Sequence, residues 1–257
     1  MVAPETVNQT AWVDALGAEV TYIDGSEYRT RTLCAGSGDE PPVILIHGVG
    51  GHVETYLKNV VPLANALENR GVYAIDLIGH GFSSKPGSYT PRDYAAQIED
   101  VIHALGFESA HIHGESLGGV TATWIGLNRP DLAESIGLNT TARVDDSIHE
   151  TVLTDEQLER KDREMQDLFE RTREMMEAGF PRELVARRVD WLFYEDPPEE
   201  IVDIRYNIYQ RDDVQDEMSV IYGSEREMFV EDDFRAIDVP TLIVHSDHNP
   251  GTPWRQS

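Results

Sequence analysis

The segment Pro42-Val-Ile-Leu-Ile-His47 constrains the fold more than any other stretch of the chain. A short, continuous apolar run has no polar face, so it belongs to a strand covered on both sides, as in a parallel sheet. Val72 to Leu77 reads as a second buried strand and Ala110 to His113 as a third, with a further one near Ser135 to Leu138. Helical patterns alternate with them. Residues 53–68 place Tyr56, Leu57, Val60, Leu63, Ala64 and Leu67 on one face. Pro91 to Leu105 opens with a proline in its first turn, and a helix follows residue 117 to about Asn128. This alternation predicts an α/β fold with a doubly wound, mostly parallel sheet. Ahead of it, Ala18 to Ile23, the turn signal Asp24-Gly25, and Tyr28 to Leu33 predict an antiparallel hairpin.

The pattern changes at 142–235, which is rich in charge and helical in period, with no convincing strand. Thr154 and Gln157 form a capping box, Leu158, Met165, Leu168, Phe169, Thr172, Met175 and Met176 make a stripe, and Gly179 then Pro181 end it. Three more helices are expected up to Tyr222, and the buried-strand pattern returns at Pro240-Thr-Leu-Ile-Val-His245. The expected organisation is a first core part over 1–141, a helical insertion over 142–235, and a second core part over 236–257.

Chemistry concentrates in two glycine-rich turns. Gly114-Glu115-Ser116-Leu117-Gly118 directly follows a predicted buried strand and opens a predicted helix, the context that a serine nucleophile elbow requires. A tight strand-to-helix turn lifts the Ser116 hydroxyl off the backbone, and the helix N-terminus favours negative charge beside it. His47-Gly48-Val49-Gly50-Gly51 ends the first buried strand. Its backbone is expected to lie next to Ser116, with the N–H groups of Val49 and Leu117 forming an oxyanion hole worth about 2.7–4 kcal/mol per donor. His47 reads as a brace for this loop, and Gly79-His80-Gly81-Phe82-Ser83 as a structural loop.

These motifs, with Asp76-Leu-Ile ahead of Gly79 and Leu242-Ile-Val-His245 near the end, resemble the α/β-hydrolase superfamily in order and spacing. The chain is most similar to the branch of meta-cleavage-product C–C hydrolases and related carboxylesterases. The resemblance implies the α/β-hydrolase fold, an eight-stranded sheet, a helical cap matching the insertion, and a Ser…Asp…His triad in chain order. Two departures stand out. The acid position falls on Asn249, which carries no charge, and Asp247 is a possible substitute two residues away. In the family order the histidine follows one more helix, strand and loop, whereas eight residues without a histidine follow Asn249. His52, His80 and His248 read as loop or cap-contact residues. The sequence therefore reads as a truncated piece of a longer enzyme, its final strand and helix missing, rather than a degenerate product.

The functional expectation is a hydrolase of a carbonyl substrate, either a carboxylic ester or the C–C bond of a vinylogous diketone, with Ser116 as nucleophile. Ser116 argues against haloalkane dehalogenases and epoxide hydrolases, which resemble this fold but carry aspartate there. Trp191, Phe193, Tyr194, Tyr206, Tyr209 and Tyr222 suit an apolar or aromatic substrate. The alternative is a catalytically silent binding protein that keeps the pocket; a structural module using the acidic insertion is weaker. No cofactor or metal is expected. The chain has 47 acidic against 21 basic residues, a net charge of −26, and its lysines are Lys58, Lys85 and Lys161. Such a field disfavours nucleic acid and anionic membranes as partners and suits a protein adapted to concentrated salt. A single cysteine, Cys34, and the lack of a signal-peptide pattern lead to a cytoplasmic expectation.

Overall fold

The computed structural model describes residues 11–140, 153–193, 196–223 and 229–244. Seven strands among these residues form one sheet in the order β1-β2-β4-β3-β5-β6-β7. They are β1 (Glu19–Asp24), β2 (Arg29–Ala35), β3 (Val43–Ile46), β4 (Val72–Ile75), β5 (Ala110–Glu115), β6 (Ala133–Asn139) and β7 (Thr241–Val244). The pairs β1–β2 and β2–β4 are antiparallel, and all pairs from β4 through β3, β5 and β6 to β7 are parallel. The expected hairpin and doubly wound sheet are both present.

The apolar run at 43–46 is continuous because both faces of β3 are covered. Ile44 and Ile46 join a core with Ile98 and Ile102 of α2 (Pro91–Ala104) and Ala122 and Ile125 of α3 (Leu117–Asn128). Leu45 points the other way, into a cluster with Val60 of α1 (Val60–Ala66), Leu33 and Ala74. Side chains alternating to opposite faces make every residue of β3 apolar. Each such fully buried Ile or Leu contributes about 1.5–3 kcal/mol relative to exposure.

The helix expected over 53–68 is instead a 3₁₀ turn at Val53–Tyr56 followed by α1. Pro62 has no N–H to give the carbonyl of residue 58, so a continuous helix cannot run through that point. Glu54 is meanwhile drawn into the interior by Arg31, whose Nη2 lies 2.5 Å from its carboxylate.

Beyond β6 the described chain is helical: α4 (Asp155–Glu177), α5 (Arg182–Asp190), α6 (Glu199–Tyr209), α7 (Asp212–Gly223) and α8 (Glu231–Ala236). The Thr154–Gln157 capping box opens α4 as expected, and Gly179, at φ 72, follows its end. Met175 and Thr172 of its stripe are buried, whereas Phe169 is exposed. Met175, Val185, Val189, Val202, Ile208, Val214, Met218 and Ile221 merge with the sheet's own core in one cluster.

The strand expected at 240–245 is present as β7, but it is not buried. Leu242 is 61% and Ile243 71% exposed. The reason is position: among the described residues β7 is the last strand in the sheet order and pairs with β6 alone. No helix among the described residues is long and apolar enough to cross a membrane.

Candidate active site

Parallel pairing places Ile46 of β3 opposite Gly114 of β5. The turn after β3 and the turn after β5 therefore emerge side by side at one edge of the sheet, where open α/β sheets bind ligands. Ser116 occupies the second turn at φ 50 and ψ −107, a conformation that costs a non-glycine residue strain. The surrounding structure holds it there from both sides. Its N–H donates to the Asn139 carbonyl at 3.0 Å, and its own carbonyl accepts from Val120 N–H at 3.0 Å. The flanking glycines are needed for space: a Cβ on Gly114 would strike the Gly118 backbone, and one on Gly118 would strike the Ile46 carbonyl. Although Ser116 is the residue before α3, its side chain makes no capping bond, so the hydroxyl is not spent on the helix. It is half-buried. Leu117 N–H, at the first helical position, belongs to the group that has no intrahelical acceptor.

The loop over residues 47–51 is held at several points. His47 is fully buried, and both ring nitrogens are engaged: Nδ1 donates to the Gly48 carbonyl at 2.7 Å, and Nε2 accepts from Leu77 N–H at 3.1 Å. Burial, then the neighbouring His80, holds its pKa well below the usual histidine value. It is a neutral brace, as expected. The Gly48 carbonyl also accepts from Gly51 N–H at 2.9 Å. A trans peptide directs its N–H opposite to its C=O, so two bonds on the Gly48 carbonyl aim the Val49 N–H away from them. No described residue accepts that N–H. Glu115, beside the serine, accepts from Gly48 N–H at 2.8 Å. Burial raises the Glu115 pKa, opposed by that bond and by the fields of Arg205 and Arg188.

Residues from the helical segment complete the site. Tyr209 at the end of α6 is buried and donates its hydroxyl to the Gly50 carbonyl at 2.8 Å. Arg205, one turn earlier, is 8% exposed, and its Nε is buried without a hydrogen-bond partner. Arg188 of α5 likewise has a buried, unpartnered Nη1, with its guanidinium 5.0 Å over the Trp191 ring. Neither guanidinium pairs with a carboxylate of the described residues.

Behind the loops lies a polar network. Arg31 Nη1 approaches Glu54 at 3.2 Å and Asp76 at 3.3 Å. Asp76 also accepts from Val53 N–H at 2.7 Å and Phe82 N–H at 2.8 Å, and His52 Nδ1 lies 2.7 Å from Glu54. Burial raises the Glu54 pKa, but His52 and Arg31 outweigh it and bring it to about 2. His80 donates from Nδ1 to the Ile78 carbonyl at 3.1 Å, and burial lowers its pKa to about 4.

The structure thus brings Ser116, Leu117 and Val49 to one sheet edge. Asp247 and Asn249 lie outside the described residues, as do His248 and Tyr194. No described histidine hydrogen-bonds the Ser116 hydroxyl. Among the described residues no group of three or more His, Cys, Asp or Glu side chains is placed to hold a metal ion. Sequence reasoning missed Arg205, Arg188 and the roles of Glu115 and Tyr209. The only available signal for the arginines was their phase: Arg205 is one turn before Tyr209, and Arg188 lies beside Val189.

The model of the alpha/beta hydrolase fold family matches residues 41–257. The chain belongs to that family. This α/β-hydrolase is 33% identical over 139 residues to the dihydrolipoyllysine-residue acetyltransferase component of the acetoin cleaving system of Cupriavidus necator, covering 54% of this chain and 36% of that protein. It is 32% identical over 133 residues to the 2-hydroxy-6-oxo-6-(2'-aminophenyl)hexa-2,4-dienoic acid hydrolase of Metapseudomonas resinovorans, covering 50% of this chain and 44% of that protein. The chain therefore spans less than half the length of these curated relatives. In three dimensions it is similar to carboxylesterase CesB (YbfK) from Bacillus subtilis, with a TM-score of 0.69 and 21% identity, over 93% of this chain and 79% of the other. That likeness shows the fold alone.

Proposed function

We propose that this α/β-hydrolase is a serine-nucleophile hydrolase of a carbonyl substrate that carries an anionic group, with the helices α4–α7 acting as the cap over its site. The observation that carries the reading is the strained Ser116 turn, fixed by two backbone bonds while its hydroxyl stays free of capping. Strain of this kind costs about 1–3 kcal/mol and serves no purpose in a plain turn.

In the proposed reaction, Ser116 Oγ attacks the carbonyl carbon and its proton passes to a general base. The described histidines do not supply that base, so it comes from outside the described residues. The tetrahedral oxyanion accepts hydrogen bonds from Val49 N–H and Leu117 N–H. Collapse of the intermediate breaks the bond to the leaving group, an alkoxide from an ester or a carbanion from a C–C substrate, which takes up the proton. Water then cleaves the acyl-serine and restores the hydroxyl. The anionic group is argued from Arg205 and Arg188. A guanidinium nitrogen buried without a partner is costly, and among the described residues no carboxylate pairs with Arg205 or Arg188, whose Nε and Nη1 are buried and unpartnered. A carboxylate on the substrate would satisfy them. The similarity to a dienoic acid hydrolase agrees with this reading.

Two variants test the proposal. Ser116→Ala should abolish both fluorophosphonate labelling and turnover of p-nitrophenyl acetate, with a loss of about 10³-fold or more. Arg205→Met should raise KM for mono-p-nitrophenyl succinate by about tenfold while changing that for neutral p-nitrophenyl acetate little. Labelling that persists in Ser116→Ala removes the nucleophile. Equal effects on both esters remove the anion site.

A further inference from the structure

The loop expected to supply an oxyanion donor is anchored by the sheet at one end and by the helical segment at the other. On the sheet side, Glu115 accepts the Gly48 N–H at 2.8 Å, and the Gly48 carbonyl takes bonds from His47 and Gly51. On the other side, the Gly50 carbonyl accepts the Tyr209 hydroxyl at 2.8 Å, across 159 residues of sequence. Val49 lies between these two anchored peptides. Gly50 itself, at φ 72, has no room for a side chain, because a Cβ there would strike the Tyr209 oxygen. We infer that Tyr209 is a positioning residue: its hydroxyl fixes the Gly50 peptide and so sets the aim of the Val49 N–H at the oxyanion, making the placement of α6 part of the catalytic geometry. This inference rests on the serine-hydrolase reading above.

The alternative is that Tyr209 merely packs. Its ring does contact Phe180, with centroids 5.0 Å apart. The hydroxyl adds a cost that packing does not need, since a buried phenol requires a partner. Burial raises its pKa to about 12, so the group stays protonated and can only be the donor to a carbonyl. Removing the oxygen while keeping the ring separates the two roles. An oxyanion donor displaced by a fraction of an ångström stabilises the tetrahedral species less, and leaves ground-state binding nearly unchanged.

The test is the dissociation constant of butylboronic acid, which forms a tetrahedral adduct on an activated serine, measured by calorimetry alongside kcat and KM for p-nitrophenyl acetate. Tyr209→Phe should weaken boronate binding by about tenfold and lower kcat by a similar factor, with KM changed little. Phe180→Leu, which disturbs the ring contact but keeps the hydroxyl, should leave boronate affinity within about twofold. The inference is overturned if Tyr209→Phe binds boronate within about twofold of the parent, or if Phe180→Leu weakens it as much. Ser116→Ala distinguishes the two levels. If it loses boronate binding and Tyr209→Phe does not, only the role of Tyr209 falls. If it retains binding, or if the parent binds none, the nucleophile reading falls and the inference falls with it.

Discussion

Ser116 and Arg205 show how differently the sequence exposes single side chains of the site. Ser116 was legible because its neighbours are diagnostic: only glycine fits at positions 114 and 118, where a Cβ would meet backbone. Arg205 was not legible, because an arginine on an amphipathic helix normally faces water, and nothing local marks one that turns inward. His80 lay between these cases. Its glycine-rich loop was evident, but not its complete burial at 1% exposure, with Nε2 lacking a partner. That burial has a consequence for acid stability. The folded-state pKa of about 4 lies below the ordinary 6.5, so between these values the unfolded chain binds the extra proton and the folded one does not. Stability is retained above about pH 6.5 and is lost as pH falls toward 4. Glu54, at about 2 against an ordinary 4.5, extends the loss to lower pH. Urea unfolding of the parent should show His80 contributing about 2 kcal/mol of the decline between pH 7 and pH 5. His80→Gln should be less steep by that amount; an unchanged slope would show that His80 protonates without unfolding.

At the level of elements, strands covered on both faces were readable from composition alone, as β3 and β4 demonstrate. Their neighbours were not, because the order β1-β2-β4-β3-β5-β6-β7 is decided by contacts distant in sequence. The same limit explains β7, whose apolar run suggested burial but whose exposure follows from its place in the sheet. The hairpin is a further instance. Asp24-Gly25 marked a turn, yet the connection between β1 and β2 is held by Asp100 of α2. Its carboxylate accepts from the N–H groups of Ser26, Glu27 and Tyr28 at 2.9, 2.7 and 2.9 Å, and from the Ser26 hydroxyl at 2.5 Å. Burial raises the Asp100 pKa, but these four donors outweigh it and hold it below the ordinary value. One carboxylate on a helix thereby docks an antiparallel hairpin onto the parallel part of the sheet. Asp100→Ala should cost about 2 kcal/mol in urea unfolding at pH 7. Because the freed N–H groups sit near the surface and can bind water, the loss should be smaller than for a buried network. A change below about 0.5 kcal/mol would mean that the β2–β4 pairing and the hairpin's other contacts hold it without Asp100.

For the molecule as a whole, the charge balance sets two opposing responses to salt. Surface pairs such as Arg129 with Glu99, bonded at 2.8 Å through both nitrogens, weaken as ions screen them. The surplus carboxylates repel one another, and screening relieves that repulsion. With 47 acidic and 21 basic residues, most carboxylates have no cation to lose, and individual exposed pairs contribute only about 0–1 kcal/mol each. Relief of repulsion therefore outweighs loss of pairing. The buried Arg31–Glu54–Asp76 network is shielded from solvent and should respond little. We propose that this protein is built for concentrated salt. Its urea midpoint should rise continuously from 0.1 to 2 M KCl, as the screening length falls from about 10 Å to below 3 Å. Most of the gain should come in the first molar, where the length changes most. The same series in sodium sulfate separates screening from general salting-out, since sulfate strengthens apolar burial in any protein. A midpoint that rises in sulfate but stays flat in KCl would show that the acidic surface carries no net strain and that the adaptation to salt is not real.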